Sequence, residues 1–208
     1  MSARAFFGDE AKSGVRQTIE RLELECSAEV VVSVAPASGD YRAADYLWGA
    51  LAAMGITLVF VFHPHPFDST FFPLELGVAF VAASAVSAFL LPLRRWLTPS
   101  SRMKKSVLSA AKAKFVDLGV SGTRARSGLL VYVSMFERKV AIISDIGIDR
   151  AAHAQSFDQA ERLLGLAVRR GDLGAFTAAL AGLGPLLIQL CPPRHDDVNE
   201  LPDEPVVA

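Results

Sequence analysis

The chain has 208 residues, of which 51% are hydrophobic and 21% charged, and its net charge at pH 7 is −1. The apolar content excludes a chain that is disordered throughout. The near-neutral charge argues against binding of nucleic acid through a basic surface. Two cysteines, Cys26 and Cys191, are too few for a disulfide scaffold or a zinc cluster. The length suits one compact domain, or one domain with a membrane anchor.

The first forty residues predict a helix followed by a strand. Apolar side chains recur at helical spacing over residues 10–25, at Ala11, Val15, Ile19 and Leu22. The valine-rich run at 29–35 then indicates a strand that is buried on both faces and ends at Pro36. Because one strand cannot satisfy its own edges, this strand needs partners elsewhere in the chain.

Two apolar stretches predict a transmembrane helical hairpin over residues 43–97, with spans at about 46–62 and 72–93. Their charge-free runs, 46–62 and 76–93, are 17 and 18 residues long. Each is close to the shortest helix that crosses roughly 30 Å of hydrocarbon. The alternative is a buried helical hairpin of a soluble domain. Neither run contains an ionisable residue, which disfavours a channel or transporter acting alone.

The flanking charges predict the orientation of this hairpin. Asp45 and Glu75 lie at the edges of the spans, where we expect interfacial water to reach them. The loop HPHPFDST between the spans has no lysine or arginine. Basic residues instead lie before the first span and just after the second, at Arg4, Lys12, Arg16, Arg21 and Arg42, and at Arg94, Arg95, Arg102, Lys104 and Lys105. By the positive-inside rule, both termini are expected in the cytoplasm.

The chain after the spans predicts a helix and then a strand hairpin. Residues 101–118 carry an apolar stripe at helical spacing, and a basic loop follows at 121–128. The runs 129–134 and 139–144 indicate two strands, and the four-residue link between them makes the pair antiparallel.

The C-terminal part predicts two further helices and a tail. Ser156 and Gln159 have the spacing of a capping box at the start of one helix, which Gly171 ends. An apolar helix then runs over 173–190, with a bend expected at Pro185. The acidic, proline-containing tail at 193–208 is expected to be extended or partly disordered.

These elements predict the α/β class, with a small α/β/α sandwich around a mixed sheet that a transmembrane helical hairpin interrupts. Two spans return the chain to the side from which it left, so strand 29–35 can pair in parallel with a strand after the insertion. The predicted organisation is therefore a first domain part at 1–42, the hairpin at 43–97, a second domain part at 98–192 and the tail at 193–208.

Four stretches resemble the TPM-domain family in its bacterial membrane-hairpin form, and they span most of the non-membrane chain. They are CSAEVVVSVAPAS at 26–38, the hairpin region at 111–149, RRGDLGAFTAAL at 169–180 and the terminal NELPDEPV. The resemblance implies an α/β/α sandwich. Its members are diverse: some plant chloroplast members are described as acid phosphatases or photosystem repair factors, animal members are receptor-associated membrane proteins, and many bacterial members have no assigned activity.

The chain departs from the family pattern at two turns. An Asp-Asn-Gly usually precedes the first strand of the hairpin, whereas Arg126-Ser127-Gly128 stands here. A Gly-x-Gly-Leu commonly follows the second strand, whereas the sequence here is Asp145-Ile146-Gly147-Ile148. These changes remove an acidic residue on one side, which argues against inherited metal or phosphatase chemistry.

Two pairs of residues are candidate metal ligands. Asp145 and Asp149 follow a predicted strand, and their carboxylates could hold Mg²⁺ or Ca²⁺. Turn formation and helix capping are the alternative role for both. His63 and His65, with Asp68 nearby, are a weaker candidate for a metal in the loop between the spans. No catalytic residue is identified, because Ser134 and Ser144 lack the nucleophile-elbow motif and no nucleotide-binding glycine motif is present.

The sequence therefore predicts an integral inner-membrane protein with a cytoplasmic TPM-like domain. The expected role is non-catalytic: a binding module, or a module for membrane-protein assembly or maintenance. Membrane lipid and a protein are the expected partners, and nucleic acid is not. The alternative function is a membrane-tethered, divalent-metal-dependent hydrolase of the phosphatase type.

Overall fold

The structure is a computed structural model that describes residues 8–63, 70–194 and 200–207. The chain divides into two compact units. We call residues 1–38 together with 104–208 the α/β unit, and residues 39–103 the helical unit.

The helices and strands follow the predicted order, with a short helix at 91–97, a 3₁₀ turn at 120–122 and a strand at 206–207 as additions. In chain order they are α1 (Asp9–Glu25), β1 (Glu29–Ala35), α2 (Arg42–Phe62), α3 (Phe72–Phe89), α4 (Leu91–Leu97), α5 (Ser100–Asp117), a short 3₁₀ turn (Val120–Gly122), β2 (Gly128–Ser134), β3 (Lys139–Ser144), α6 (Ala154–Arg170), α7 (Leu173–Ala181), α8 (Gly184–Leu190) and β4 (Val206–Val207).

The sheet of the α/β unit has four strands in the order β3-β2-β1-β4. β1 pairs in parallel with β2 over its whole length, from Glu29 opposite Gly128 to Ala35 opposite Ser134. β2 and β3 form the antiparallel hairpin. The prediction of a mixed sheet, in which a strand before the insertion pairs with one after it, is confirmed.

Helices cover both faces of this sheet, because side chains along each strand point alternately to opposite sides. Val30, Val32 and Val34 of β1 lie in one apolar cluster, which contains buried side chains of α1, α6, α7 and α8. Val31 and Ala35 lie in a second cluster with Val107, Ala111 and Phe115 of α5. All seven residues of β1 are buried, as the continuous apolar run predicts.

Two details of the C-terminal helices differ from the predictions. The prediction of a capping box at Ser156 is wrong. The helix α6 begins earlier, at Ala154, and its N-cap residue His153 makes no side-chain cap bond. The single bent helix is two helices: α7 ends at Ala181, and Pro185 lies in the first turn of α8. A first-turn proline needs no partner for its missing N–H, so the chain restarts its helix there rather than bending it.

The C-terminal tail contains a strand for which the sequence carries no clear signal. Val206 and Val207 pair in parallel with Ser33 and Val34, so β4 adds a fourth strand beside β1. Pro202 and Pro205 precede it in the tail. Because proline has no N–H to donate to a ladder, Pro205 limits β4 on its N-terminal side.

Of the three longer strands, β1 and β3 lie on the two sides of β2. A glutamate side chain binds a backbone N–H group of each of these two outer strands. On β3, Ile142 N–H donates to Glu161 Oε1 at 2.9 Å, and the Ile142 carbonyl accepts from Arg150 Nη1. On β1, Val30 N–H donates to Glu23 Oε1 at 2.8 Å. Unpaired strand edges recruit other strands, so these side chains protect the sheet from edge-to-edge association.

In the helical unit, α2 and α3 approach closely at Gly49. A Cβ at this position would lie 2.6 Å from the Phe80 carbonyl oxygen, so a larger residue would push the helices apart. Near the start of α2, the Trp48 ring stacks on Trp96 with centroids 5.8 Å apart, and its indole N–H donates to the Leu93 carbonyl at 3.2 Å.

The Asp45 carboxylate is the polar centre of the helical unit. Arg94 binds it in bidentate fashion, with Nε 3.0 Å from Oδ1 and Nη2 2.6 Å from Oδ2. The Ser87 hydroxyl donates to Oδ1 at 2.9 Å. The expectation that interfacial water reaches Asp45 is wrong for this structure, because the residue is only 5% exposed and protein groups hold its carboxylate. Arg94 lies 49 positions further along the chain, so spacing alone does not reveal this pair.

Removal of the Glu161 carboxylate is expected to destabilise the α/β unit. In Glu161→Ala, the Ile142 N–H loses its acceptor and the Arg150 guanidinium loses one of its acceptors, which should lower the free energy of unfolding by about 1–3 kcal/mol. Chemical denaturation of the detergent-solubilised protein measures this loss. Asp158→Ala is the matched control, since its 61% exposed side chain meets the same arginine only at 4.0 Å. The control should stay within about 0.5 kcal/mol of the parent; equal losses in both variants would contradict the edge-cap role.

Candidate functional site

Asp145, the stronger of the two predicted acidic candidates, lies where β3 ends beside the first residues of β2. Its side chain is 3% exposed, and Oδ1 contacts Arg126 Nη2 at 3.1 Å. The same oxygen accepts the Ile146 N–H at 2.7 Å. Oδ2 is buried and has no hydrogen-bond partner in the described part of the chain. A guanidinium therefore already binds the carboxylate that a divalent cation would need.

The Arg126 loop is held against the turn after β3 by close backbone contacts. The Gly147 N–H donates to the Arg126 carbonyl at 2.9 Å. A Cβ at Gly147 would lie 2.5 Å from that carbonyl oxygen, so the turn requires glycine. Arg126 itself has φ 56°, in the left-handed region that L residues rarely adopt. This strained backbone places the guanidinium on Asp145.

Asp149 has a different role from Asp145 in the structure. It is exposed, and its Oδ1 accepts the Ala152 N–H at 3.1 Å in the turn before α6. Within residues 8–63, 70–194 and 200–207, no group of three or more His, Cys, Asp or Glu side chains is placed to hold a metal ion. Binding of Mg²⁺ or Ca²⁺ at Asp145 and Asp149 stays a prediction, and the contacts of both carboxylates do not favour it.

The histidine candidates fall only in part on described residues. His63 is the C-cap of α2, where its N–H donates to the Val59 carbonyl at 2.9 Å. His65 and Asp68 lie outside the described residues. The predicted metal site in this loop therefore stays a prediction.

A second polar cluster, which the sequence did not reveal, lies at the carboxyl ends of the parallel strands β1 and β2. The Ser38 hydroxyl contacts Ser134 Oγ at 2.5 Å and Tyr132 OH at 3.1 Å. Glu137 accepts the Ser38 N–H at 2.8 Å through Oε1 and the Ser134 hydroxyl through Oε2. Ser134 and Glu137 are 0% and 2% exposed. Ser38 and Glu137 lie in loops, and Tyr132 and Ser134 lie in β2. The other three residues are 94 or more positions from Ser38 in the sequence, which explains why no local motif marks the cluster.

The electrostatics of this cluster agree with a structural role. Burial raises the pKa of Tyr132, a nearby Glu137 carboxylate adds to the rise, and the Ser38 hydrogen bond opposes it. The phenol is therefore neutral near pH 7 and acts as a hydrogen-bonding group. The cluster ties the loop after β1 to the turn between β2 and β3.

A cleft of about 420 Å³ lies between α6 and the α7–α8 pair. Its apolar wall includes Leu163, Leu183 and Leu186, and polar groups of His153, Gln159 and Gln189 also line it. It is separate from the Asp145 and Ser38 clusters, neither of which contributes a lining residue.

Comparison with known proteins concerns the fold. No family model matches the chain, and no curated protein matches it. The chain is similar to the NMR structure of the BA42 protein from the psychrophilic bacterium Bizionia argentinensis, with a TM-score of 0.57 and 16% sequence identity. The similarity covers 96% of this chain and 93% of that chain. At this level of identity it supports the mixed α/β fold and carries no activity across.

Two substitutions at Arg126 are expected to separate the effect of its guanidinium contact on stability from the effect of its left-handed backbone. Arg126→Ala removes the guanidinium from the buried Asp145 carboxylate and keeps the backbone strain, so it should lower the free energy of unfolding by about 1–2 kcal/mol. Arg126→Gly removes the same contact but relieves the left-handed strain, which should recover about 1 kcal/mol. Urea denaturation of the two variants in parallel measures the difference. Equal stability of the two variants would show that strain at this position is negligible.

Proposed function

We propose that the chain is an inner-membrane protein in which α2 and α3 span the bilayer and anchor a TPM-like α/β unit in the cytoplasm. The unit acts as a non-catalytic binding module, and membrane-protein assembly or maintenance is the role that best suits it. The apolar surface of α2 and α3 is the observation that carries the proposal.

This surface is too apolar and too continuous for a helix that faces water. α2 and α3 have 21 and 18 residues and a mean hydropathy of 1.7, yet only 11% and 6% of their apolar windows are buried. At 1.5 Å per residue they are about 31 and 27 Å long, close to the thickness of the hydrocarbon core. Large side chains such as Val59, Phe62 and Val81 are 59%, 77% and 65% exposed. Soluble proteins rarely expose a patch of this kind.

Three helical segments of the described chain are long and apolar enough to cross a membrane, and the third covers Leu173–Leu190. This segment is divided between α7 and α8. Phe176, Leu180 and Leu187 are each 0% exposed in the core of the α/β unit. Because these side chains already pack against the sheet, we assign this segment to the domain core and propose two spans.

The polar groups of the helical unit are compatible with a bilayer. The Asp45–Arg94–Ser87 cluster pairs the charged groups with each other, as polar side chains near lipid require. Arg94 and Arg95 also belong to the basic cluster after the second span, whereas the loop between the spans has no lysine or arginine. This asymmetry supports cytoplasmic termini.

The binding role is supported by the contacts of the acidic residues in the α/β unit. Arg126 binds Asp145, and a backbone N–H binds Asp149. Both carboxylates thus have structural partners that would compete with a divalent cation. Membrane lipid and a protein partner remain the proposed ligands of the whole chain.

Cysteine labelling in cells tests the membrane arrangement. Phe67→Cys in the loop should react with an impermeant maleimide in intact cells, whereas Ser2→Cys and Glu204→Cys should react only after permeabilisation. The parent protein is the background control, because Cys26 and Cys191 are both buried. Labelling of residues 2 and 204 on opposite sides, or a residue 67 that is protected in intact cells, would overturn the proposed anchor.

A phosphatase assay tests the non-catalytic role. With p-nitrophenyl phosphate and Mg²⁺, the purified protein is expected to show no turnover above that of Asp145→Ala or Asp149→Ala. The physical reason is that Arg126 binds Asp145 and a backbone N–H binds Asp149, and the described residues contain no group of three or more side chains placed to hold a metal. Turnover by the parent that is lost in Asp145→Ala would contradict the proposal and favour the hydrolase.

A further inference from the structure

Helix α5 has a basic side that faces away from the sheet. Its buried stripe, Val107, Ala111 and Phe115, packs in the second apolar cluster. Lys105 and Lys112 lie on the opposite side of the helix, seven positions or about two turns apart. Both lysines are exposed, and neither makes an ion pair or a side-chain hydrogen bond with a residue in the described part of the chain.

Apolar side chains lie beside these lysines. Leu108 and Val116 are 41% and 66% exposed, and helical spacing places both on the same side of α5 as Lys105 and Lys112. We call this side, which also includes the exposed Ser109, the outer face of α5. Lysine ammonium groups with apolar side chains between them suit a surface that offers negative charge above a hydrocarbon layer.

The charge of the α/β unit is unevenly divided between the two faces of the sheet. On one face, α5 contains five basic residues and one acidic residue. On the other face, α1 and α6–α8 together contain six basic and seven acidic residues. Between Glu75 and Asp117 the sequence has seven basic residues and no acidic one. The α5 layer is therefore the positive side of the unit.

We propose that the outer face of α5 binds the anionic phospholipid headgroups of the cytoplasmic leaflet and holds the α/β unit against the membrane surface. The inference rests on the proposed membrane anchor and adds to it the class of lipid and the surface that contacts it. A basic cluster directly after a membrane span, on the cytoplasmic side, is attracted by the negative potential of that leaflet.

The connection to the second proposed span keeps α5 close to its ligand. Ser100, the first residue of α5, follows Phe89, the last residue of α3, by eleven positions, and seven of the intervening residues form α4. A tethered surface meets its ligand at a high effective concentration, so a few weak charge contacts are enough. Screening acts over about 10 Å at 0.1 M salt, so added salt should release the contact.

Protection of a cysteine on the outer face measures this contact in the full chain. Ser109→Cys is reacted with an uncharged, polyethylene-glycol-linked maleimide in nanodiscs of phosphatidylcholine, alone or mixed in equal parts with phosphatidylglycerol. The rate should be roughly tenfold lower in the anionic discs, and salt should restore it. Gln17→Cys, an exposed position of α1, should react at the same rate in both discs. A Ser109→Cys rate that does not depend on phosphatidylglycerol would overturn the proposal and leave the face to an acidic protein.

Matched double variants identify the groups that bind. Lys105→Gln with Lys112→Gln should lower the ratio of bound to free outer face on the order of fivefold for each lysine, which removes most of the protection. Arg162→Gln with Arg170→Gln removes the same charge from exposed positions of α6 and should leave the protection unchanged. Equal loss in both double variants would assign the effect to net charge and contradict the role of α5. Circular dichroism checks that every variant is folded.

Failure of the anchor and failure of this inference give different results. A chain that enters neither kind of nanodisc contradicts the two proposed spans. The outer face is then tested by sedimentation of the chain with phosphatidylglycerol vesicles. Retention that is lost in the lysine double variant supports the role of α5, and absence of retention overturns it. A chain that enters both kinds of nanodisc without protection of Ser109→Cys keeps the anchor and overturns the lipid contact.

Discussion

The backbone hydrogen-bonding groups of β1 pair with a strand that is far away in sequence, and this constraint shapes the molecule. All of its residues are buried, and its principal partner β2 begins at Gly128, whereas β1 ends at Ala35. Because the two strands are parallel, the chain must return to the end of the sheet at which β1 begins before it can form β2. Any insertion between the two strands must therefore leave and come back. A membrane insertion that meets this requirement has an even number of spans, which agrees with the proposed pair α2 and α3.

Acidic side chains accept backbone N–H groups at several margins of the sheet. Glu23 and Glu161 do so on the two sides of the three longer strands, and Glu29 accepts the Glu200 N–H of the tail. Glu137 and Asp145 bind the amides of Ser38 and Ile146 at opposite ends of the strands. A carboxylate that accepts such bonds satisfies orphan donors and also fixes a loop. Buried acids in this unit thus have structural explanations, which weakens inference of a metal site from their positions.

The sequence predicts those parts of the fold that depend on local periodicity. The strands at 29–35, 129–134 and 139–144 agree with β1, β2 and β3 to within one residue, because long apolar runs ended by turn residues have few alternatives. β4 could not be predicted in this way, since two valines after a proline are too few to show a periodic pattern. The misplaced cap at Ser156 has a similar cause: a capping box identifies residues that can begin a helix, and it does not exclude a start further upstream.

The polar clusters could not be predicted, because their members are distant in sequence and come together only through the fold. Ser38 meets Glu137 only because the ends of β1 and β2 coincide, and Glu29 meets Glu200 only because the tail lies beside β1. The amino-acid types were visible, but a serine or glutamate alone predicts nothing about its partner. For Asp145, the sequence indicated the lost acidic residue at Arg126, and the structure adds that the arginine binds the remaining carboxylate.

Arg94 shows how one residue can satisfy a topological and a structural requirement together. As part of the basic cluster after the second proposed span, it contributes to the charge asymmetry on which the proposed orientation rests. In the folded hairpin it also binds Asp45, which lies in the first turn of α2. If this end of the hairpin lay outside the cytoplasm, the arginine cluster would have to cross the bilayer with it. The contact that neutralises Asp45 therefore joins two helices at the same end of the hairpin, the end that the proposed orientation places in the cytoplasm.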